Sequence, residues 1–178
     1  PRRVLVDAGG AQGRILNKPI DPVTLDVIEA ALTAGYGNLA DDQGLRFRSS
    51  SNVEDAEGFN GAGLYTSNTG YLHADRLDPA RQVKTVEFAL LETWASYWSS
   101  EAFEERRLAN VAHLSGAMGS VVHPNFPDEL ERGNGVFTYT ILPAGHPGGA
   151  AVLEVNAQEG SLSVTNPPPG DPNLPEVD

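Results

Sequence analysis

"LRFRSSSNVEDAEGFNGAGLY" (Leu45–Tyr65) is the stretch on which the reading of the fold turns. "LRFRS" alternates apolar and basic residues, the period of a half-buried strand. Hydroxyls, three acids and three glycines follow before the chain reaches Tyr65, far more than a simple corner needs. Arg48 closes the strand, directly ahead of Ser49, Ser50 and Ser51. A guanidinium is permanently charged and presents a planar fork that matches phosphate oxygens, and neighbouring hydroxyls add neutral donors. Gly58, Gly61 and Gly63 would let backbone amides come close to an anion. The same residues carry a plainer reading. Ser51 and Glu54 have the spacing of a helix capping box, and GxxGxG by itself is a weak signature. Both readings stand on this stretch alone.

On its N-terminal side, Arg2 to Gly10 contains a short apolar run ended by glycines. "DPVTLDVIEAALTAGYGNL" reads as a helix capped by Asp21, with Pro22 in the first position, a stop at Gly37, and Leu25, Ile28, Leu32 and Tyr36 at helical spacing. On its C-terminal side a long helical region is expected from about Pro79 to Ser99. Its apolar stripe would be Val83, Val86, Leu90, Trp94 and Tyr97, with both tryptophans as core anchors. "SSEAFEERR" restarts a helix, with Ser100 as its expected cap and acids in its first turn.

From Ala117 the texture changes to strands and turns: "MGSVVH", then "GVFTYTIL" after a Gly133-Asn134-Gly135 turn, then "AAVLEVNAQ" after His146-Pro147-Gly148-Gly149, with "LSVTN" as a further strand. The order predicts an α+β fold with helices packed on a mixed or antiparallel sheet.

"LEVNAQ" is the second cluster of interest. On a strand Glu154, Asn156 and Gln158 share one face, with Leu153, Val155 and Ala157 expected toward the core. A carboxylate with amide oxygens is a hard-oxygen set suited to Mg²⁺. It is also what the polar face of an edge strand looks like. The histidines at 73, 113, 123 and 146 have no metal-ligand spacing, and no Ser-His-Asp order can be assigned.

Composition narrows the classes. The formal net charge is −12, from 24 acids and 12 bases, and the acids are spread along the chain. Such a surface is not attracted to nucleic acid or anionic membrane. With no cysteine, disulfides, thiolate metal sites and cysteine catalysis are excluded. There is no long apolar run and no signal-peptide pattern, and a cytoplasmic location fits. The start at Pro1 and the proline-rich segment 167–178 read as a piece of a longer protein.

"RFRSSSNVEDAEGFNGAGLY" resembles the "RSS…ED…GFNGAG" signature of the nucleotide-binding domain of the phosphoenolpyruvate synthase and pyruvate phosphate dikinase family. "ALLETWASYWSSEAFEERR", "GSVVH", "GNGVFTYT" and "VNAQEGSLSVTNP" continue the likeness in the family's order, over roughly Leu45 to Pro167. The resemblance implies an ATP-grasp-like domain, here partial and spanning 1–178, in which α+β lobes clasp ATP and Mg²⁺. It also implies phosphoryl transfer to a histidine on a separate domain and then to pyruvate on another. Those phosphohistidine and pyruvate/PEP-binding domains would be the partners. It places Arg48 at the ATP phosphates as the catalytic residue. Nucleotide contacts fall on Arg48, Ser49, Ser50, Glu54, Asp55, Gly58, Gly61 and Gly63, and the metal on Glu154, Asn156 and Gln158.

The chain departs from the family's pattern in three places. Many relatives place an arginine in "GVxFTRNP", where this chain reads "GVFTYTILP" with Tyr139 and Thr140 instead; Ser161 and Leu162 replace an acidic pair, and Lys18 and Lys84 are the only lysines. These departures motivate two alternatives: a degenerate module that binds or scaffolds without catalysis, or a dikinase for another acceptor such as a glucan or an antibiotic.

Overall fold

The computed structural model describes residues 7, 9–53, 61, 63–126, 130–145, 147, 149–160 and 176–177. The chain divides into two compact units, Pro1–Asn125 and Phe126–Asp178. Their elements make an α+β arrangement with two small sheets, in which every described strand pairing is antiparallel.

The first unit opens with helices α1 (Ala11–Leu16) and α2 (Pro22–Tyr36). Asp21 caps α2 as its sequence predicts: Oδ2 accepts from the Thr24 amide at 3.0 Å and from its hydroxyl at 3.1 Å. Gly37 closes it, donating to the Thr33 carbonyl at 2.8 Å. Leu25, Ile28, Leu32 and Tyr36 form the stripe that packs inward. Strands β1 (Leu45–Ser51), β2 (Asn68–Gly70) and β3 (Met118–Pro124) form a sheet in the order β2-β1-β3. Its core face presents the buried Leu45 and Phe47 to Val86, Ala89 and Leu90.

Between β2 and β3 lie a short 3₁₀ turn (Ala74–Arg76) and helices α3 (Pro79–Gln82), α4 (Val86–Ser96) and α5 (Ser100–Leu108). The region expected to run as one helix from about Pro79 is therefore broken after α3. The Lys84 carbonyl accepts the Tyr71 amide at 2.8 Å instead of continuing a helix, and Thr85 is extended. The Thr85 hydroxyl then caps α4 by accepting from Phe88 N at 3.0 Å. The break throws Val83 off the stripe, and it is 66% exposed. Val86 and Leu90 do face the core, whereas the buried Tyr97 joins a second cluster with Val53, Tyr65 and Ala102. Trp94 packs against the first cluster and Trp98 against the second. The cap of α5 is Ser99, not Ser100: its hydroxyl accepts from Ala102 N at 3.2 Å, so Ser100 is the first helical residue.

Gly70 is where β2 approaches α4. A Cβ there would sit 2.8 Å from the Thr85 carbonyl oxygen, 2.9 Å from the Ala89 methyl and 3.2 Å from the Phe47 ring. Only glycine lets the strand lie this close to the helix.

The second unit is built on a hairpin of β4 (Gly133–Ile141) and β5 (Ala151–Glu159), with β6 (Glu176–Val177) on the other side of β5. Gly133, Asn134 and Gly135 do not form the expected turn. They pair with Glu159, Gln158 and Ala157 inside the ladder, where Asn134 Nδ2 donates to the Gly160 carbonyl at 2.7 Å. "LSVTN" lies outside the described residues.

Candidate functional site

Register decides which side chains of β1 act together. Arg46, Arg48 and Ser50 alternate onto one face of the sheet, and Leu45, Phe47, Ser49 and Ser51 onto the other. Directly paired residues share a face, so Arg46 stands beside Thr69 and His123, Arg48 beside Val121, and Ser50 beside Gly119. Arg46 Nη1 donates to the Thr69 hydroxyl at 3.2 Å. Arg48 and Ser50 are exposed. In a chain of net charge −12, two guanidiniums stand on one small face of this sheet, beside His123.

The serines therefore do not act as one donor set with Arg48. Ser50 shares its face. Ser49 lies on the core side, half-buried, and Ser51 Oγ accepts from Val53 N at 3.3 Å to bend the chain out of the strand. Glu54, Asp55 and Gly58 lie outside the described residues. Beyond them, Gly61 is buried and Gly63 is exposed with φ at 79°. Leu64 N donates to the Gly61 carbonyl at 3.1 Å, closing a turn that only a left-handed residue at Gly63 completes without strain.

Tyr65, at the end of that turn, is held from α4 and α5. Its ring stacks on Tyr97 at 5.9 Å between centroids, and its hydroxyl accepts from Arg106 Nη1 at 3.3 Å. Arg106 is fully buried, donates from Nη2 to the Tyr97 carbonyl at 2.6 Å and lies 3.8 Å over the Tyr97 ring. Burial raises the Tyr97 phenol above its ordinary pKa, with Arg106 opposing and Tyr65 adding to the shift. His113 stacks on Phe103 at 3.8 Å, and burial, joined by the charge of Arg106, lowers its pKa. The sequence reading passed over Arg106. Its signal was available: it lies four residues after Ala102, on the buried stripe of α5, where a charged residue is out of place.

On the second unit, Glu154, Asn156 and Gln158 do share one face of β5, together with Thr138, Val136 and Asn134 paired across from them. Glu154 is exposed, and both polar atoms of the Gln158 amide are shielded from solvent without a partner among the described residues. The opposite face does not meet a core as expected. Leu153, Val155 and Ala157 are exposed, beside Phe137 and Tyr139 at 72% and 62% exposure. The register is right, but among the described residues of this unit no second layer lies over the apolar side of the β4-β5-β6 sheet.

Among the described residues no group of three or more His, Asp or Glu is placed to hold a metal ion, and no helix is long and apolar enough to cross a membrane. No protein-family model matches the chain, and no curated protein matches it either.

Proposed function

We propose that the chain is the nucleotide-binding domain of a phosphoenolpyruvate synthase or pyruvate phosphate dikinase-like phosphotransferase, an ATP-grasp-like domain that holds Mg·ATP for transfer to a histidine on another domain. The observation that carries this reading is the exposed Arg48, on the sheet face opposite Leu45 and Phe47, immediately ahead of the glycine-bearing stretch. Positioning and charge stabilisation are most of what a phosphoryl-transfer site must supply. An arginine fixed on a strand beside Ser50 offers both.

The donor set on β5 has the chemistry of a Mg²⁺ site. One carboxylate, Glu154, and the side-chain amides of Asn156 and Gln158 lie on one face; the Gln158 amide has no partner among the described residues but is shielded from solvent, so it would have to turn outward to meet a ligand. An ion of this kind takes the rest of its shell from phosphate oxygens and water. When bound, it would neutralise charge on the phosphates; the role of this chain's residues is to orient the nucleotide and donate to it.

Mg·ATP titration by calorimetry tests the reading. The wild-type chain is expected to release or absorb heat that depends on Mg²⁺. Arg48→Ala should weaken binding by roughly 10- to 100-fold, the loss of a charge-assisted hydrogen bond, with an unchanged circular dichroism spectrum. In the parent protein the same variant should lose ATP-dependent histidine phosphorylation. Absence of wild-type binding with and without Mg²⁺ would overturn the proposal.

A second reading, a nucleotide-binding module without catalysis, is favoured by Tyr139. At the position where relatives carry an arginine, this chain has a phenol paired with Leu153, on the face opposite Glu154. Binding without phosphorylation in the parent would select this reading.

A further inference from the structure

We infer that Arg106 is a positioning residue for the Gly63–Tyr65 segment, clamping it to helices α4 and α5 and so fixing where its backbone can meet an anion. The clamp itself rests on geometry; its effect on a nucleotide rests on the function proposed above.

A fully buried guanidinium is costly to desolvate, and here no carboxylate among the described residues pairs with it. Its Nε is buried without a partner. The charge is instead met by a backbone carbonyl, a phenol oxygen and an aromatic face: Tyr97 O at 2.6 Å, the Tyr65 hydroxyl at 3.3 Å and the Tyr97 ring at 3.8 Å. A methionine of similar length would fill this space without the desolvation cost. What it would lack is a fork able to hold two separate elements at once. One arm of Arg106 holds the C-terminal end of α4, and the other holds Tyr65.

Tyr65 is the point through which the turn is held. It follows the left-handed Gly63 directly after Leu64, whose amide is bonded back to Gly61. The strand side is secured independently. Asn52 Oδ1 accepts from Ala117 N at 2.7 Å, its Nδ2 donates to the Ser115 carbonyl at 3.4 Å, and Val53 is seated in the same cluster as Tyr65 and Tyr97. Removing Arg106 would therefore release Tyr65 and leave the Asn52 anchor in place.

The experiment compares the wild-type chain with Arg106→Met, Arg106→Lys and Tyr65→Phe. It reads amide hydrogen exchange at Gly63, Leu64 and Tyr65 against Phe47 and Arg48 in β1, the ring resonances of Tyr65 and Tyr97, and Mg·ATP affinity. Arg106→Met should speed exchange at the turn by about tenfold relative to β1, the change expected from one lost hydrogen bond to a charged donor. It should also move the Tyr65 ring resonances away from their stacked positions and weaken Mg·ATP by a similar factor. Arg106→Lys, able to keep the Tyr97 carbonyl contact but not the fork, should fall between. Tyr65→Phe keeps the stack and the arginine and should reproduce part of the exchange effect; it decides the question if Arg106→Met does not fold. Uniformly faster exchange across β1 and the turn, or unchanged Tyr65 resonances and turn amides, would overturn the inference. If the wild-type chain does not bind Mg·ATP, the proposed function fails, while exchange and ring shifts still decide the clamp.

Discussion

The charge of the buried Arg106 acts on the half-buried His113, and the consequence appears in pH dependence. His113 lies against Phe103, and its pKa in the fold is below the ordinary 6.5, chiefly from burial and then from the charge of Arg106. The folded state therefore binds this proton less readily than the unfolded chain. Its contribution to stability is fully present above about pH 6.5 and is lost as pH falls through the lowered folded value. Thermal unfolding from pH 7.5 to 5 should show the melting-temperature gap between wild type and His113→Asn narrowing as the solution becomes acid. A gap independent of pH would remove this account. Arg48 shows what residue-level reading can and cannot supply. That it lies on a strand was legible from alternation alone, but β1 runs on to Ser51, so Arg48 is the middle residue of the strand and not its end. That only Ser50 shares its face followed from the same alternation applied one step further, while Ser49 and Ser51 were grouped with it only because they are adjacent in sequence.

Among the elements, α2 was legible to its ends because its signals are local: Asp21, Pro22 and Gly37 act within one turn of themselves. The break between α3 and α4 was not. Val83 lies at helical spacing from Val86, and nothing in the periodicity competes with a continuous helix. What accompanies the interruption is the Tyr71 amide bonding to the Lys84 carbonyl, a partner outside the helix that the helix's own periodicity does not register. Three substitutions test this region by urea unfolding. Ser99→Ala should cost about 1 kcal/mol through loss of the α5 cap, whereas Ser100→Ala, in the first turn, should be close to neutral. Gly70→Ala should cost about 1–3 kcal/mol, because the added methyl meets the Thr85 carbonyl and the Ala89 methyl in a packed site. Equal costs for the two serines would return the cap to the position expected from sequence.

Across the whole molecule the two units differ in how they treat apolar side chains. In Pro1–Asn125, Phe47 is 0% exposed beneath α4; in Phe126–Asp178, Tyr139 stands open on the β4–β5 ribbon. Phe47→Ala should therefore cost about 3–5 kcal/mol, and Tyr139→Thr should change stability by no more than about 0.5 kcal/mol, both by urea unfolding. A large loss from Tyr139→Thr would mean that the ribbon's apolar face is covered in solution. By itself the sequence determined the α+β order, the capped helix α2, the alternation of β1 and the shared face of Glu154, Asn156 and Gln158, because each depends on contacts or periods within a few residues. The tertiary structure decided the break at Thr85, the partners of Arg106 and the exposure of Leu153 and Val155. Each of these depends on what lies opposite a side chain, and a period can say which way a residue points but not what meets it there.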